Sequence, residues 1–352
     1  MMIEFDNQKL GFSGRIDTSN PKKPQLIYPS SFLQFRFYGK SAEITVTNHR
    51  ICWNNYMGAI IDGEQKTWQL NDEGKTTILL VDEEIPREHE VLFFKRQDCC
   101  HVVVLEELNL SEESRLLDLP PLPARRIEVY GDSVSAGEVS EAVEYTGKSD
   151  PEHYGQYSNS YYSYAWIAAR KLNARIHNIS QGGIPLVTGT GWVAPPIYPG
   201  MDFMWDKLHY HPQLGKVTNW DFSLYRPHVV IIAVGQNDSN PEDYMKENPT
   251  GEKAQIWKQK YKELILNLRE KYPKTLILLT TTILEHDVSW DAAIEEVCQG
   301  LSDERVRHFL YRENGRGTPG HIRISEAERM ADELVDYLNR LDIPVWEDEE
   351  LG

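Results

Sequence analysis

Residues 127–137 read IEVYGDSVSAG: an apolar run of strand length, then Gly131-Asp132-Ser133, then small residues. An apolar run ending in a tight turn, with a helical pattern downstream, is how a strand of a parallel α/β sheet reads. The same alternation recurs to the C-terminus. SYYSYAWIAARKL sets Tyr161, Tyr164, Ala165, Ala168 and Leu172 on one helical face. ARIHNIS, PHVVIIAVG, TLILLTTTIL and RVRHFLY read as further strands. EKAQIWKQKYKELILNLREKYP aligns Trp257, Tyr261, Leu264 and Leu268. SEAERMADELVDYLNRL opens on a Ser325-x-x-Glu328 capping box and carries an apolar stripe of Ala327, Met330, Ala331, Leu334, Val335 and Leu338. Together these predict a largely parallel sheet of about five strands with helices on both faces.

Upstream, the period changes. Residues 1–118 alternate with period two: Leu33, Phe35 and Phe37 share a face, then Ala42, Ile44 and Val46 after a Gly39-Lys40 turn. Asp62-Gly63 marks a hairpin, and KTTILLVDE, EHEVLFFKRQ and CHVVVLEEL continue the pattern. This reads as an all-β sandwich of jelly-roll type over residues 1–118. The proline-rich stretch at 119–126 is a linker, and an α/β domain follows over 127–345.

The chain has 352 residues, with 37 basic and 54 acidic side chains and a net charge of −17. That surface repels phosphate backbones and anionic lipid, which excludes nucleic acid and the membrane surface as partners. The apolar runs are too short to span a bilayer. The N-terminal residues do not read as a secretory signal, so a cytoplasmic setting is expected. Cys52, Cys99, Cys100 and Cys298 form no CxxC motif or disulfide framework. Homo-oligomerisation stays open.

In open parallel sheets ligands bind beyond the carboxyl ends of the strands. Those ends read YGDSVSAG, NISQGGIPL, VGQNDSN and TTTILEHD, and GRGTPGHIR precedes the last helix. They supply what acyl transfer needs. Ser133 is the candidate nucleophile, and its own N–H is one oxyanion donor. Gly182, or Gly183 in its place, offers a second N–H; the Asn237 amide is a third; His321 is the candidate base. Asp132 fixes the turn, and with Trp192 it is grouped on the substrate side.

This ordered set resembles the SGNH (GDSL-type) hydrolase superfamily. A β-domain with an Ile-Asp-Gly hairpin in front of it resembles carbohydrate esterase family two. The resemblance implies a flavodoxin-like three-layer α/β sandwich and the roles just given. It also implies removal of O-acetyl groups from carbohydrate, with xylan-derived oligosaccharides as substrate and no metal or organic cofactor. In one respect the chain departs. The superfamily places an Asp three residues before the base, and here that position is Thr318. His321 then needs another partner, either a backbone carbonyl or an acid such as Glu313.

Three other readings compete: a lipase- or thioesterase-like hydrolase, a carbohydrate-binding protein with a vestigial site, and a metal-dependent deacetylase using His209 and His211. His286 in LEHD is a rival base. The long segment at 189–228 is rich in aromatics, which are expected to form mostly its own small core. The β-domain, with His49, Cys52 and Trp53 at an edge, is expected to shape one wall of the cleft.

Overall fold

The computed structural model describes residues 1–98, 100–192 and 199–347. In the N-terminal part five main strands pair antiparallel: β1 (Phe32–Arg50), β2 (Tyr56–Ile61), β3 (Glu64–Gln69), β4 (Lys75–Lys95) and β5 (His101–Leu110), in the order β5-β1-β4-β2-β3. Strand β1 has 19 residues and β4 has 21, so each would run roughly 60 Å or more if straight. They bend instead. The expected Gly39-Lys40 turn is not a turn, because the strand runs through it with register shifts between Gly39 and Ser41 and between Ala42 and Glu43. KTTILLVDE and EHEVLFFKRQ are likewise one strand. The irregularity has a physical purpose. It moves the inward set from odd positions (Leu33, Phe35, Phe37) to even ones (Ala42, Ile44, Val46), and all six are fully buried in one core. Asp62 and Gly63, at φ 53° and 88°, make the expected hairpin turn between β2 and β3.

The second part follows the order read from the sequence: β6 (Arg125–Gly131), α1 (Ser133–Ala136), α2 (Tyr164–Lys171), β7 (Ala174–Ser180), β8 (Val229–Ala233), α3 (Glu252–Lys271), β9 (Leu276–Leu279), α4 (Val288–Gln299), β10 (Val306–His308) and α5 (Ile324–Arg340). The sheet is parallel throughout, in the order β7-β6-β8-β9-β10. Alternate residues of β8 explain the layers. Val230 and Ile232 join the cluster of α3 and α4, with Trp257, Tyr261 and Trp290; Val229 and Ile231 join that of α2 and α5, with Met330 and Leu334. In this order the chain leaves β6 in one direction for β7 and returns past it to β8. The crevice between β6 and β8 is therefore the switch point, and Ser133 stands at its rim.

One helix boundary differs from expectation. Helix α5 starts at Ile324, and its capping box joins Arg323 to Glu326, whose carboxylate accepts the Arg323 N–H at 2.8 Å. The Ser325/Glu328 pair does not cap. Arg323 is fully buried and its guanidinium is held by Ala142 O, His321 O and Asp150, which fixes the chain entering the helix two residues early.

Candidate active site

Ser133 is the first residue of α1, where first-turn N–H groups lack intrahelical acceptors. Asp132 is the N-cap: its Oδ1 accepts from Val134 N at 3.0 Å and its Oδ2 from Gln236 Nε2 at 3.0 Å. Gln236 in turn accepts from Thr282 Oγ1 at 2.6 Å, so the serine turn is braced against the ends of β8 and β9. Asp132 is 1 % exposed with both oxygens engaged, and burial raises its pKa. It braces the turn, the role the sequence reading gave it.

The acid missing at position 318 comes from elsewhere. Asp150 Oδ2 lies 2.5 Å from His321 Nδ1, and Asp150 Oδ1 accepts the His321 N–H at 2.9 Å and Arg323 Nη2 at 2.8 Å. Burial opposes the charge on Asp150, but His321 and Arg323 outweigh it and hold the carboxyl well below the usual carboxylate range. Thr318 does other work: its N–H donates to Ile283 O at 3.3 Å and its carbonyl accepts from Glu285 N at 2.9 Å. Glu313 faces Arg329 on the surface, 3.7 Å away, so neither it nor a backbone carbonyl orients the imidazole. Gly320 makes room for this pairing, since a Cβ there would come within 2.7 Å of Asp150 Oδ1.

With Nδ1 on Asp150, the Nε2 edge of His321 looks toward Glu138, whose Oε2 is 3.9 Å away. Glu138 N donates to Ser133 O at 2.9 Å, so this edge faces the turn that bears Ser133. Burial lowers the His321 pKa, but Glu138, Asp150 and Asp132 more than offset it, and the net shift is upward.

Asn237 Nδ2 donates to Ile184 O at 3.1 Å, which leaves its second proton for a ligand. Gly182 behaves differently from expectation. Its N–H donates to Asp98 Oδ2 at 3.0 Å, and Gln181 Nε2 binds the same oxygen at 3.0 Å. A carboxylate from the β-domain thus holds the N–H that was assigned to the oxyanion, and donation to substrate requires Asp98 to release it. Gly183, at φ 71°, follows directly in the same turn.

Beside these groups lies a narrow cleft, lined by Trp53, Gln97 and Asp98 from the β-domain and by Glu138, His153 and Ser158 from the other part. Trp53 stacks on His153 with ring centroids 5.2 Å apart. The β-domain does form one wall.

Known proteins resemble this chain in sequence and in fold. Residues 12–120 match the family model described as Carbohydrate esterase 2 N-terminal. The chain is 28% identical over 341 residues to cellulase/esterase CelE of Acetivibrio thermocellus, covering 94% of this chain but only 39% of that protein. It is 27% identical over 322 residues to an acetylxylan esterase / glucomannan deacetylase of Cellvibrio japonicus, covering 88% of this chain and 85% of that one. A solved family two carbohydrate esterase from Clostridium thermocellum, in complex with cellohexaose, superposes with a TM-score of 0.77 at 26% identity, over 94% of this chain and 98% of that one. The chain resembles carbohydrate esterase family two in sequence and in fold.

Set against that family two resemblance, the remaining candidates sort plainly. Trp192 is 72% exposed, and Gly191 beside it donates to Asn240 O at 2.9 Å, close to the Asn237 loop. Tyr210 is buried in the main core beside the sheet and Trp220 and Tyr225 are buried against His177 of β7, so these aromatics extend the common core and do not form the separate small core expected; Tyr198 lies outside the described residues. His209 pairs with Asp17 at 2.8 Å, while Tyr210 between the two histidines donates to Gln181 Oε1 at 2.6 Å and supports the glycine turn. His286 is locked to Leu284 O and Asp291, away from the role of base. Sequence reasoning missed Asp150, Glu138 and Asp98. Glu138 alone carried a usable signal, as an acid five residues after the nucleophile; nothing in the spacing ties Asp150 to a histidine 171 residues away.

Proposed function

We propose that this protein is a serine esterase that removes O-acetyl groups from carbohydrate, with xylan-derived oligosaccharides as the substrate class. The observation that carries the reading is His321 held by Asp150 at Nδ1 with its other edge turned to the Ser133 turn. Ser133 Oγ attacks the acetyl carbonyl as His321 Nε2 takes its proton, and Asp150 steadies the imidazolium. The oxyanion is received by the Ser133 N–H and the Asn237 amide. His321 then protonates the departing sugar oxygen, and water, activated by the same base, releases acetate from Ser133. The names of the relatives support the carbohydrate ester. With Asp150 in place, the motive for a vestigial site disappears.

The test compares the parent with Ser133→Ala and His321→Ala on 4-nitrophenyl acetate and on acetylated xylo-oligosaccharides. Both variants are expected to lose at least about 10³-fold in kcat. Near-parental turnover by Ser133→Ala would falsify the mechanism. A substrate series from acetate to octanoate separates this reading from a lipase, which would improve with chain length.

A further inference from the structure

Asp150, Asp132 and Glu138 surround His321 and Asp98 stands beside Glu138; of these four acids three are already committed. Asp150 shares its charge with Arg323, and Asp132 is taken by Val134 N and Gln236. Asp98, in the β-domain wall, accepts from Cys100 N, Gln181 and Gly182. Glu138 has no hydrogen-bond donor among the described residues. Its carboxyl instead stands 3.9 Å from Nε2, on the edge of the ring opposite Asp150.

Backbone geometry brings it there. Gly137 closes α1 at φ 79° with its N–H on Ser133 O and Val134 O, and Glu138 follows as the chain turns back. Across the cleft, a Cβ on Gly182 would lie 2.6 Å from Glu138 Oε2 and 2.8 Å from Asp98 Oδ2. The bare glycine therefore lets two carboxyl groups close in on the end of β7. The charged groups facing the pair are Asp150 and His153 from the loop over the site, Asp132 from the end of β6, Asp98 from the β-domain and Arg323 from the start of α5.

We propose that Glu138 is a positioning residue for catalysis: its carboxylate, facing the proton-accepting edge of His321, sets the pH at which that imidazole is free to act as base. The proposal rests on the assignment of His321 as base above. An ionised Glu138 favours the imidazolium, so the free base appears only at higher pH. The same attraction steadies the imidazolium that forms when Ser133 gives up its proton. Glu138 itself is pushed up to about 7 by burial and by Asp98, Asp150 and Asp132, against the pull of His321. Facing each other at 3.9 Å, the two groups have linked titrations.

Two readouts test this. The first is kcat/KM for 4-nitrophenyl acetate against pH, in the parent, Glu138→Gln and the charge-retaining Glu138→Asp. The second is the NMR titration of the His321 ring in full-length Ser133→Ala protein, with and without Glu138→Gln. In Glu138→Gln the acid limb and the ring midpoint are both expected to move to lower pH by about one unit. One unit below the parent's midpoint, the variant would then keep about five times the parent's share of its plateau rate. Glu138→Asp should stay close to the parent. An unmoved ring midpoint overturns the proposal whatever the activity. If Glu138→Gln does not fold, the carboxyl titration of Glu138 in His321→Ala decides: linkage is reciprocal, so it must move to higher pH, and no movement overturns the proposal. A ring midpoint that shifts in a parent with no esterase activity supports the coupling and removes the esterase reading instead.

Discussion

On the proposed mechanism, Asp150 decides whether this site can turn over. Its carboxylate holds His321 at both Nδ1 and the backbone N–H, so removing the charge frees the wrong tautomer as well as the ring's orientation. Asp150→Asn is expected to lower kcat by about 10³–10⁴-fold while circular dichroism stays unchanged. The same residue has a stability signature. Its folded pKa is depressed, so its contribution is present above the ordinary carboxylate value near 4 and is lost as pH falls through the depressed one. Parent and Asp150→Asn should therefore differ most in denaturant midpoint at neutral pH and converge as the medium becomes strongly acid; a constant gap would count against the pairing. Because the His321 pKa is raised, kcat/KM of the parent should begin to fall at a pH above the ordinary histidine value of about 6.5.

At the scale of elements, the loop carrying Asp150 and the segment before α5 meet only because Gly320 is bare. Gly320→Ala would set a methyl within 2.7 Å of Asp150 Oδ1 and against Lys148 O. The expected result is a loss of kcat without loss of fold, seen as reduced turnover with an unchanged melting temperature to within a few degrees. Helix α5 gives the contrasting case. Leu334 is fully buried between the sheet and α2, so Leu334→Ala should cost about 2–5 kcal/mol in urea unfolding, with KM and kcat of the folded fraction intact. The helical stripes were legible in the sequence because burial follows the 3.6 period: Trp257, Tyr261, Leu264 and Leu268 are all buried as read. The α5 cap was not legible. Arg323 takes the N-cap position through contacts to Ala142 O and Asp150, which no local pattern encodes.

The two halves of the molecule are joined by a buried charge. Arg15, from the N-terminal part, binds Glu128 on β6 at 3.1 Å, and both side chains are fully buried. Tyr130 and Tyr272 donate to the same carboxylate at 2.7 and 2.9 Å, and Arg15 also reaches Trp205 O at 2.7 Å. Arg15→Ala strands Glu128 in the interior and should cost about 3–5 kcal/mol, measured by denaturant unfolding. The double variant Arg15→Met, Glu128→Gln should recover part of that loss. Equal destabilisation in the single and double variants would mean that the charge pair is not the link.

Periodicity and the order of short motifs were enough to read the two-part architecture, the parallel sheet, and Ser133, Asn237 and His321 as residues gathered at its carboxyl edge. These follow from backbone preference and amphipathic pattern, which act over about ten residues at a time. The tertiary structure alone decided what those residues face. Asp150 replaces the acid absent at Thr318, Asp98 takes the Gly182 N–H, and Glu138 stands before Nε2. Each of these contacts joins loops whose meeting depends on strand order and on glycines that admit close approach. The apolar run and turn of IEVYGDSVSAG place the serine; contacts between distant loops decide which charged groups surround it.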